Sequence, residues 1–467
     1  MRDVFIIGVD TLRFKKYLNQ SIKELTRQTV MGCLKDAGLE KKDIQAACFS
    51  NSGWGELGQS CIRGEVALRP IGIDTIPITN VENACAGGST ALHHAWMSVA
   101  SGLYDIAMAV GAEKLYRKNT RENFAQFLTG VDFEDLINTI QKLDGFAMTE
   151  EDRENIRRFR EKYPVDAPRS SKSKNRSFSK AIKELKDTAT VFIRLGEIMG
   201  YANVLKIASL AAGDHSPFMD IYGYSARQHM KKFGSTVEQL AVIASKNHFN
   251  STLNPNAQYR FEVPVEKVLK DRLVSWPITR SMCAPVGDGA ASAIVCSKSV
   301  VKKLGLSRQA VRIRASILGT GKDRPYGFDE PEIGERLSRL AYEKSGLGPE
   351  DISMAEVHDA TAYGELRQAE NLGFCPAGEG GILAESGATS LSGRIPINTS
   401  GGLISRGHPV GASGLAQIHE IVTQLRGRAG KRQIAAPRIG MAENGGGALG
   451  VEEAAMCIHI LEAPSRH

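Results

Sequence analysis

Two runs of small residues, Gly87-Gly88-Ser89-Thr90-Ala91-Leu92 and Gly411-Ala412-Ser413-Gly414-Leu415-Ala416, each open a helix-like stretch in a different half of the chain. Setting Ser89 against Ser413 puts Cys85 opposite Pro409, next to His408. Around each run the order of strand-like and helix-like stretches repeats. In the first half, strands read at 4–9, 46–50, 76–81 and 106–111, with helices at 21–37 and 89–101. In the second, strands read at 311–318 and 354–357, with helices at 331–345, 364–372 and 413–426. Two closing strands, 433–441 and 448–461, flank a glycine turn. Such alternation is the pattern of a layered α/β fold. A duplicated unit with pseudo-twofold symmetry would bring the two helix N-termini together at the centre. The competing reading, chance similarity of two small-residue helix starts, leaves the matching element order unexplained.

At 467 residues the chain exceeds one ordinary core. Residues 1–118 and 236–300 read as the first half and 301–467 as the second. Between them, 119–235 break the alternation with long, polar, helix-leaning sequence, expected to form an inserted loop domain. Apolar content of 42% and charged content of 24% are those of a soluble globular protein. The eight cysteines (33, 48, 61, 85, 283, 296, 375 and 457) include no C-x-x-C pair, which argues against a disulfide framework or a zinc ribbon in this chain. The N-terminal apolar strand stops at Asp10, too short for a signal-peptide core, and no apolar run reaches the length of a membrane span. A cytoplasmic protein without membrane contact is expected.

The net charge of +7 is concentrated: 151–190 hold twelve basic residues against seven acidic ones. Little aromatic interleaving and no nucleic-acid reader motif accompany them, so no nucleic-acid partner is expected. A solvated, charge-rich insert is the default; a surface that attracts an anionic cofactor or a partner protein is the sharper alternative. Gly319-Thr320-Gly321-Lys322-Asp323 hints at a phosphate loop, but Asp323 and Ser316 stand where that motif needs Ser/Thr and glycine. No nucleotide cofactor is implied.

Cys85 stands where a strand-like stretch runs into a helix-like one. Unpaired helix amides and the positive end of the helix dipole favour thiolate there. The alternative is a small buried cysteine in a tight turn. Three other segments carry residues suited to chemistry: Glu356-Val357-His358-Asp359, Asn398-Thr399-Ser400-Gly401-Gly402 with Gly407-His408-Pro409, and Glu443-Asn444-Gly445-Gly446-Gly447. A nucleophilic thiol needs a base, and an acyl intermediate needs amide donors for its oxyanion; two histidines at element ends and a glycine run supply both.

In these segments the chain resembles the thiolase superfamily over essentially its whole length, with Asn254-Pro255-Asn256-Ala257-Gln258-Tyr259 and His358-Asp359 pointing to the sterol-carrier-protein (lipid-transfer-protein) branch. The resemblance implies the thiolase fold: duplicated βαβαβαββ halves in five layers, α-β-α-β-α. It implies that Cys85 carries an acyl thioester, His408 takes its proton, and His358 stabilises an enolate. The amides of Cys85 and Gly445 would hold the thioester oxygen, with Asn398 and Ser400 shaping the wall behind the nucleophile. His215, His248 and His419 are expected to be surface or packing residues.

Both usual second thiols are missing. Glu443 occupies the position of one and Ala360 that of the other, so Glu443 is expected to act as the proton-handling group, an ordinary strand-end carboxylate being the even alternative. The implied activity is an acyl-CoA acyltransferase cleaving a specialised 3-oxoacyl-CoA with coenzyme A, or the reverse condensation, in lipid or aromatic degradation. Coenzyme A is then a substrate, and no cofactor or metal is bound permanently. A homodimer core is implied, as is a small zinc-ribbon/OB-fold subunit like that of benzoylsuccinyl-CoA thiolase. Two rivals stay open: a retro-aldolase of steroid side-chain-type CoA thioesters, kept alive by Tyr363, and a non-catalytic acyl-CoA-binding subunit.

Overall fold

Strand residues 106–110, Ile-Ala-Met-Ala-Val, show how the layers form. Ala107 and Ala109 point into one core and Met108 and Val110 into another, so the strand is buried on both faces and its small side faces closely approaching helices. The computed structural model describes residues 2–117, 126–132, 146–165 and 215–464. Among them are strands β1 (Val4–Thr11), β2 (Ala46–Ser50), β3 (Ile78–Val81), β4 (Ile106–Lys114), β5 (Leu273–Ser275), β6 (Ile278–Thr279), β7 (Asp288–Ser297), β8 (Val311–Thr320), β9 (Met354–Glu356), β10 (Ile439–Gly446) and β11 (Ala455–Glu462). The principal helices are α1 (Ile22–Ala37), α2 (Gly87–Ala100), α3 (Pro217–Phe233), α4 (Val237–Thr252), α5 (Ile333–Ser345), α6 (Ala362–Asn371) and α7 (Val410–Leu425).

Nine strands pair in the order β3-β2-β4-β7-β1-β8-β11-β10-β9. The order is a near-palindrome. In each half the second and fourth strands run parallel, β2 with β4 and β9 with β10; β3 also joins β2 in parallel, and the remaining pairs of the sheet run antiparallel. The counterpart of β3 in the second half is reduced to one bridge, Ala355 to Ile397. The halves join at β1 and β8 through Phe5–Arg312 and Ile6–Val311.

One core unites α2 and α7 with the inner faces of both halves, including Ala91, Leu92, Ala107, Ile313, Ala412 and Leu415. The outer faces carry separate cores, one with α1 and one with α5 and α6. The result is five layers, helix–sheet–helix–sheet–helix, as the resemblance implied. The central helices touch where their sequences echo each other. A Cβ on Gly88 would lie 3.0 Å from the Gly411 carbonyl oxygen, so no larger residue fits.

A fourth core gathers α3, α4 and α6 around Ala226, Leu240, Trp276 and Leu366 and sits over the site. The start of the basic segment, Glu150–Lys162, is a helix whose arginines pair with its own acids: Arg157 with Glu154 and Glu161 at 2.6 Å, Arg158 with Glu154 at 2.9 Å. Its one buried residue, Phe159, packs against Trp276 with ring centroids 5.2 Å apart. Residues 166–190, with the remaining basic side chains, lie outside the described residues.

One element differs from its expected bounds. The glycine turn expected at 443–447 is mostly strand: β10 runs through Glu443 to Gly446, each residue paired with β11. Glycine lacks strand propensity, but β11 supplies the ladder. This matters for the site, because strand geometry sends Glu443 and Asn444 to opposite faces. No helix among the described residues is long and apolar enough to cross a membrane.

Candidate active site

After β3 the chain makes a single 3₁₀ turn, Ala84–Ala86, and enters α2 at Gly87. Ala84 takes a left-handed φ of 46°, uncommon for a residue with a side chain. The Glu82 carboxylate accepts its amide at 2.6 Å and holds the turn. A Cβ on Gly446 would come 2.8 Å from the Cys85 nitrogen, so β10 can cross the turn only with glycine there.

Cys85 is partly exposed, on the wall of a cavity of about 450 Å³. The helix end favours thiolate here, and burial opposes it. Burial, with the charges of Glu82 and Glu113 behind it, pushes the thiol up to about 12; the amides of Gly447 and of Cys85 itself oppose the rise without cancelling it. Desolvation of a charged sulfur outweighs the helix dipole here. At rest the group is a thiol that needs a base.

His408 is placed to be that base. Its Nε2 lies 3.2 Å from Cys85 Sγ, and its Nδ1 lies 2.7 Å from Ser413 Oγ. Ser413 spends its own proton on the Pro409 carbonyl at 3.0 Å. The Ser413 oxygen therefore accepts Nδ1–H, leaving a lone pair on Nε2 aimed at the thiol. Burial, with His358 and Arg406 adding, holds His408 well below its ordinary range, so it is neutral at pH 7.

His358 has the opposite tautomer. Asn444 Nδ2 stands 3.1 Å from its Nδ1 and donates to it, so the proton sits on Nε2. Burial pulls His358 down to about 4. Its ring is perpendicular to that of His408, with centroids 5.2 Å apart. Atoms of Cys85, His358 and His408 all come within 4.8 Å of one another. Two neutral imidazoles thus face one thiol, one offering a lone pair and the other an N–H.

Of the residues singled out in the sequence, the structure brings Cys85, His358 and His408 together and sets others apart from them. Gly445, Gly446 and Gly447 all line the cavity, but the amide that faces the sulfur is that of Gly447. Asn398 and Ser400 are fully buried and do not line it. Asn398 Oδ1 accepts the Val357 amide at 2.9 Å and Ser400 Oγ donates to Glu356 at 2.5 Å, so both brace the loop that carries His358. Glu443 lies against the same loop. Its Oε2 accepts the His358 amide at 2.8 Å from behind, away from the cavity. Burial, with the charge of Glu453 adding, raises it to about 8.

Ala360 does line the cavity, and Tyr363 does not; Tyr363 borders a smaller annex of about 90 Å³ beyond His358. His215 and His248, expected to be surface or packing residues, line the main cavity, whereas His419 is packed away from it. His248 stacks against Phe261 with centroids 5.7 Å apart, and Arg272, Arg280 and Cys283 share that wall. Tyr222 and Glu453, which no motif marks, line both the cavity and the annex.

Residues 4–145 match the thiolase N-terminal domain and 334–461 the thiolase C-terminal domain-like family. The chain is 31% identical over 449 residues to the acetyl-CoA acetyltransferase of Methanothermobacter thermautotrophicus, with 96% of this chain and 97% of that one covered. The chain belongs to the thiolase superfamily. Within it, sterol carrier protein 2 of Rattus norvegicus is 31% identical over 453 residues, 94% of this chain and 69% of that protein. Benzoylsuccinyl-CoA thiolase subunit BbsB of Thauera aromatica is 29% identical over 450 residues, 96% and 95% of the two chains. The solved Ltp2-ChsH2(DUF35) aldolase shares the fold with a TM-score of 0.69 at 20% identity, over 100% of this chain and 99% of that one.

Proposed function

We propose that the chain is an acyl-CoA C-acyltransferase that cleaves a specialised 3-oxoacyl-CoA with coenzyme A, or runs the reverse Claisen condensation. The observation that carries this reading is the opposed tautomer pair facing Cys85. The His408 lone pair removes the thiol proton as sulfur attacks the 3-oxo carbon. The carbon–carbon bond then breaks, leaving an acyl-Cys85 thioester and a CoA enolate. The His358 Nε2–H donates to the developing enolate oxygen, and the amides of Cys85 and Gly447 donate to the thioester oxygen. Coenzyme A attacks the thioester and releases the second product. Glu443, Asn398 and Ser400 hold the His358 loop in this scheme.

Incubating the protein with acyl-CoA thioesters and measuring intact mass tests the reading. Cys85 should gain the acyl mass and Cys85→Ser should not; a wild-type protein that turns over substrate without any adduct sinks it. The retro-aldolase alternative draws on tyrosine chemistry and needs no adduct. Tyr363 borders the annex and not the Cys85 cavity, while Tyr222 and Tyr259 line the cavity, so the adduct is what separates the two readings.

The relatives also bear on partners. BbsB is by name a subunit, and the aldolase is a complex with a DUF35 chain. We propose a homodimer core that recruits a small zinc-ribbon/OB-fold subunit, with acyl-CoA entering past Arg272 and Arg280. Copurification with an untagged small subunit from the same operon would test this.

A further inference from the structure

With Ala360 offering no proton and Glu443 behind His358, the cavity needs another group to serve the α-carbon. The described residues hold one carboxyl on its wall. Glu453 borders both the main cavity and the annex, a position shared only with Phe218, Tyr222, His358 and Gly447. It follows the loop after β10 and folds back over Gly445. A Cβ on Gly445 would lie 3.1 Å from Glu453 Cγ and 3.5 Å from Glu443 Oε1. The missing side chain there lets the Glu453 carboxyl lie beside the glycine run that faces the thiol.

Its neighbours in the annex are differently occupied. Glu452 is clamped by Arg324 at 2.6 Å and Arg336 at 2.8 Å, and Glu332 by Arg367 at 3.0 Å. Glu453 takes part in no ion pair among the described residues; its side-chain contact is the Gln368 amide at 3.5 Å. Burial, with Glu332 and Glu452 adding, raises it to about 7, where it gives and takes a proton with equal ease. Tyr222, held protonated chiefly by burial, closes the same wall.

We infer that Glu453 is the catalytic acid and base for the α-carbon, in place of both missing thiols. The inference rests on the acyltransferase reading. In cleavage, the Glu453 O–H bond breaks and a C–H bond forms on the enolate carbon held by His358, leaving a carboxylate and a neutral acyl-CoA. The proton that His408 took from Cys85 passes through the cavity to that carboxylate and restores both groups. His408 then accepts the S–H proton of incoming coenzyme A and returns it to Cys85 as the thioester is cleaved. In condensation, the carboxylate removes the α-proton instead.

The decisive experiment is exchange of the acetyl-CoA methyl protons in D₂O, followed by mass spectrometry, for wild type, Glu453→Gln, Glu453→Asp and Glu443→Gln. Wild type should exchange. Glu453→Gln should slow exchange by about 10²–10⁴-fold, Glu453→Asp should recover part of the rate, and Glu443→Gln should lose no more than about tenfold. No exchange in wild type, or a Glu453→Gln rate within threefold of wild type, overturns the inference. If Glu453→Gln fails to fold, judged by its unfolding temperature, the Asp variant decides: an unchanged rate overturns the inference. Acetylation of Cys85, read by intact mass, reports separately on the acyltransferase reading. Exchange that depends on Glu453 without an adduct removes that reading alone; an adduct with exchange indifferent to Glu453 removes only this inference.

Discussion

The two halves share a strand order, yet they bring different things to the site. The first contributes the nucleophile and little else: β3 is a regular edge strand, and its last residues lead through one turn to Cys85. The second contributes both histidines and the glycine run. Its counterpart of β3 has shrunk to the Ile397 bridge, and 398–407 form a loop built around one π-helical turn, Gly402–Arg406, with Asn398, Gly401, Gly402 and Gly407 at positive φ. That loop is fastened by buried carboxyls: Ser400 to Glu356, the Leu403 amide to Asp359 at 2.6 Å, and Asn398 to Glu365 at 2.8 Å. A strand surrendered on one side of a pseudo-twofold axis made room for a base. Symmetry delivers two helix N-termini to one point, and broken symmetry gives them different work.

The sharpest test of this division is to remove one contribution at a time. Cys85→Ser should reduce acyl transfer to background, because a serine hydroxyl beside a neutral imidazole is a far weaker nucleophile than a thiol; single-turnover acylation would show it. His408→Ala should slow acylation of Cys85 by about 10²–10⁴-fold. His358→Ala should leave acylation from a simple thioester largely intact and cut carbon–carbon cleavage by about 10²–10³-fold. Equal losses in both half-reactions for both variants would erase the distinction between them.

The tautomers can be probed one step further out. Ser413→Ala removes the acceptor of His408 Nδ1–H and should lower acylation alone, by about tenfold. Asn444→Ala frees His358 Nδ1 and should lower only carbon–carbon chemistry, by a similar factor. Crossed effects would mean that the two rings do not hold fixed, opposite protonation.

The smallest effect is on stability. Glu443 is raised to about 8 in the folded protein against 4.5 for the free group. Between those values the unfolded chain releases its proton and the folded one keeps it, so stability falls as pH rises from about 4.5 to 8 and levels off above. Glu443→Gln mimics the protonated form. Its melting temperature should therefore gain on wild type between pH 5 and pH 8; a gap that stays constant would mean that Glu443 is ionised in the fold.

Much of this was readable in advance. Cys85, His358 and His408 each sit at the end of an element whose periodicity and small-residue punctuation are local signals. The repeated order of strands and helices gave the layers. The run 443–447 looks like a turn in sequence because of its glycines; pairing with β11 makes most of it strand and sets the Glu443 carboxyl on the His358 amide. Glu453, in Gly450-Val451-Glu452-Glu453, carries no motif at all, and His248 looks like any helical histidine until Phe261 folds beside it.

The sequence by itself determined which residues can do chemistry and in what order the elements follow. Those properties lie in side-chain type, periodicity and glycine placement, which act over a few residues. The tertiary structure alone decided protonation and direction: a thiol instead of a thiolate, a lone pair on one imidazole and a proton on the other, one glutamate behind the wall and one upon it. Desolvation and hydrogen-bond partners set those states, and both come from residues distant in the chain: His408 lies 323 positions from Cys85, and Asn444 lies 86 from His358.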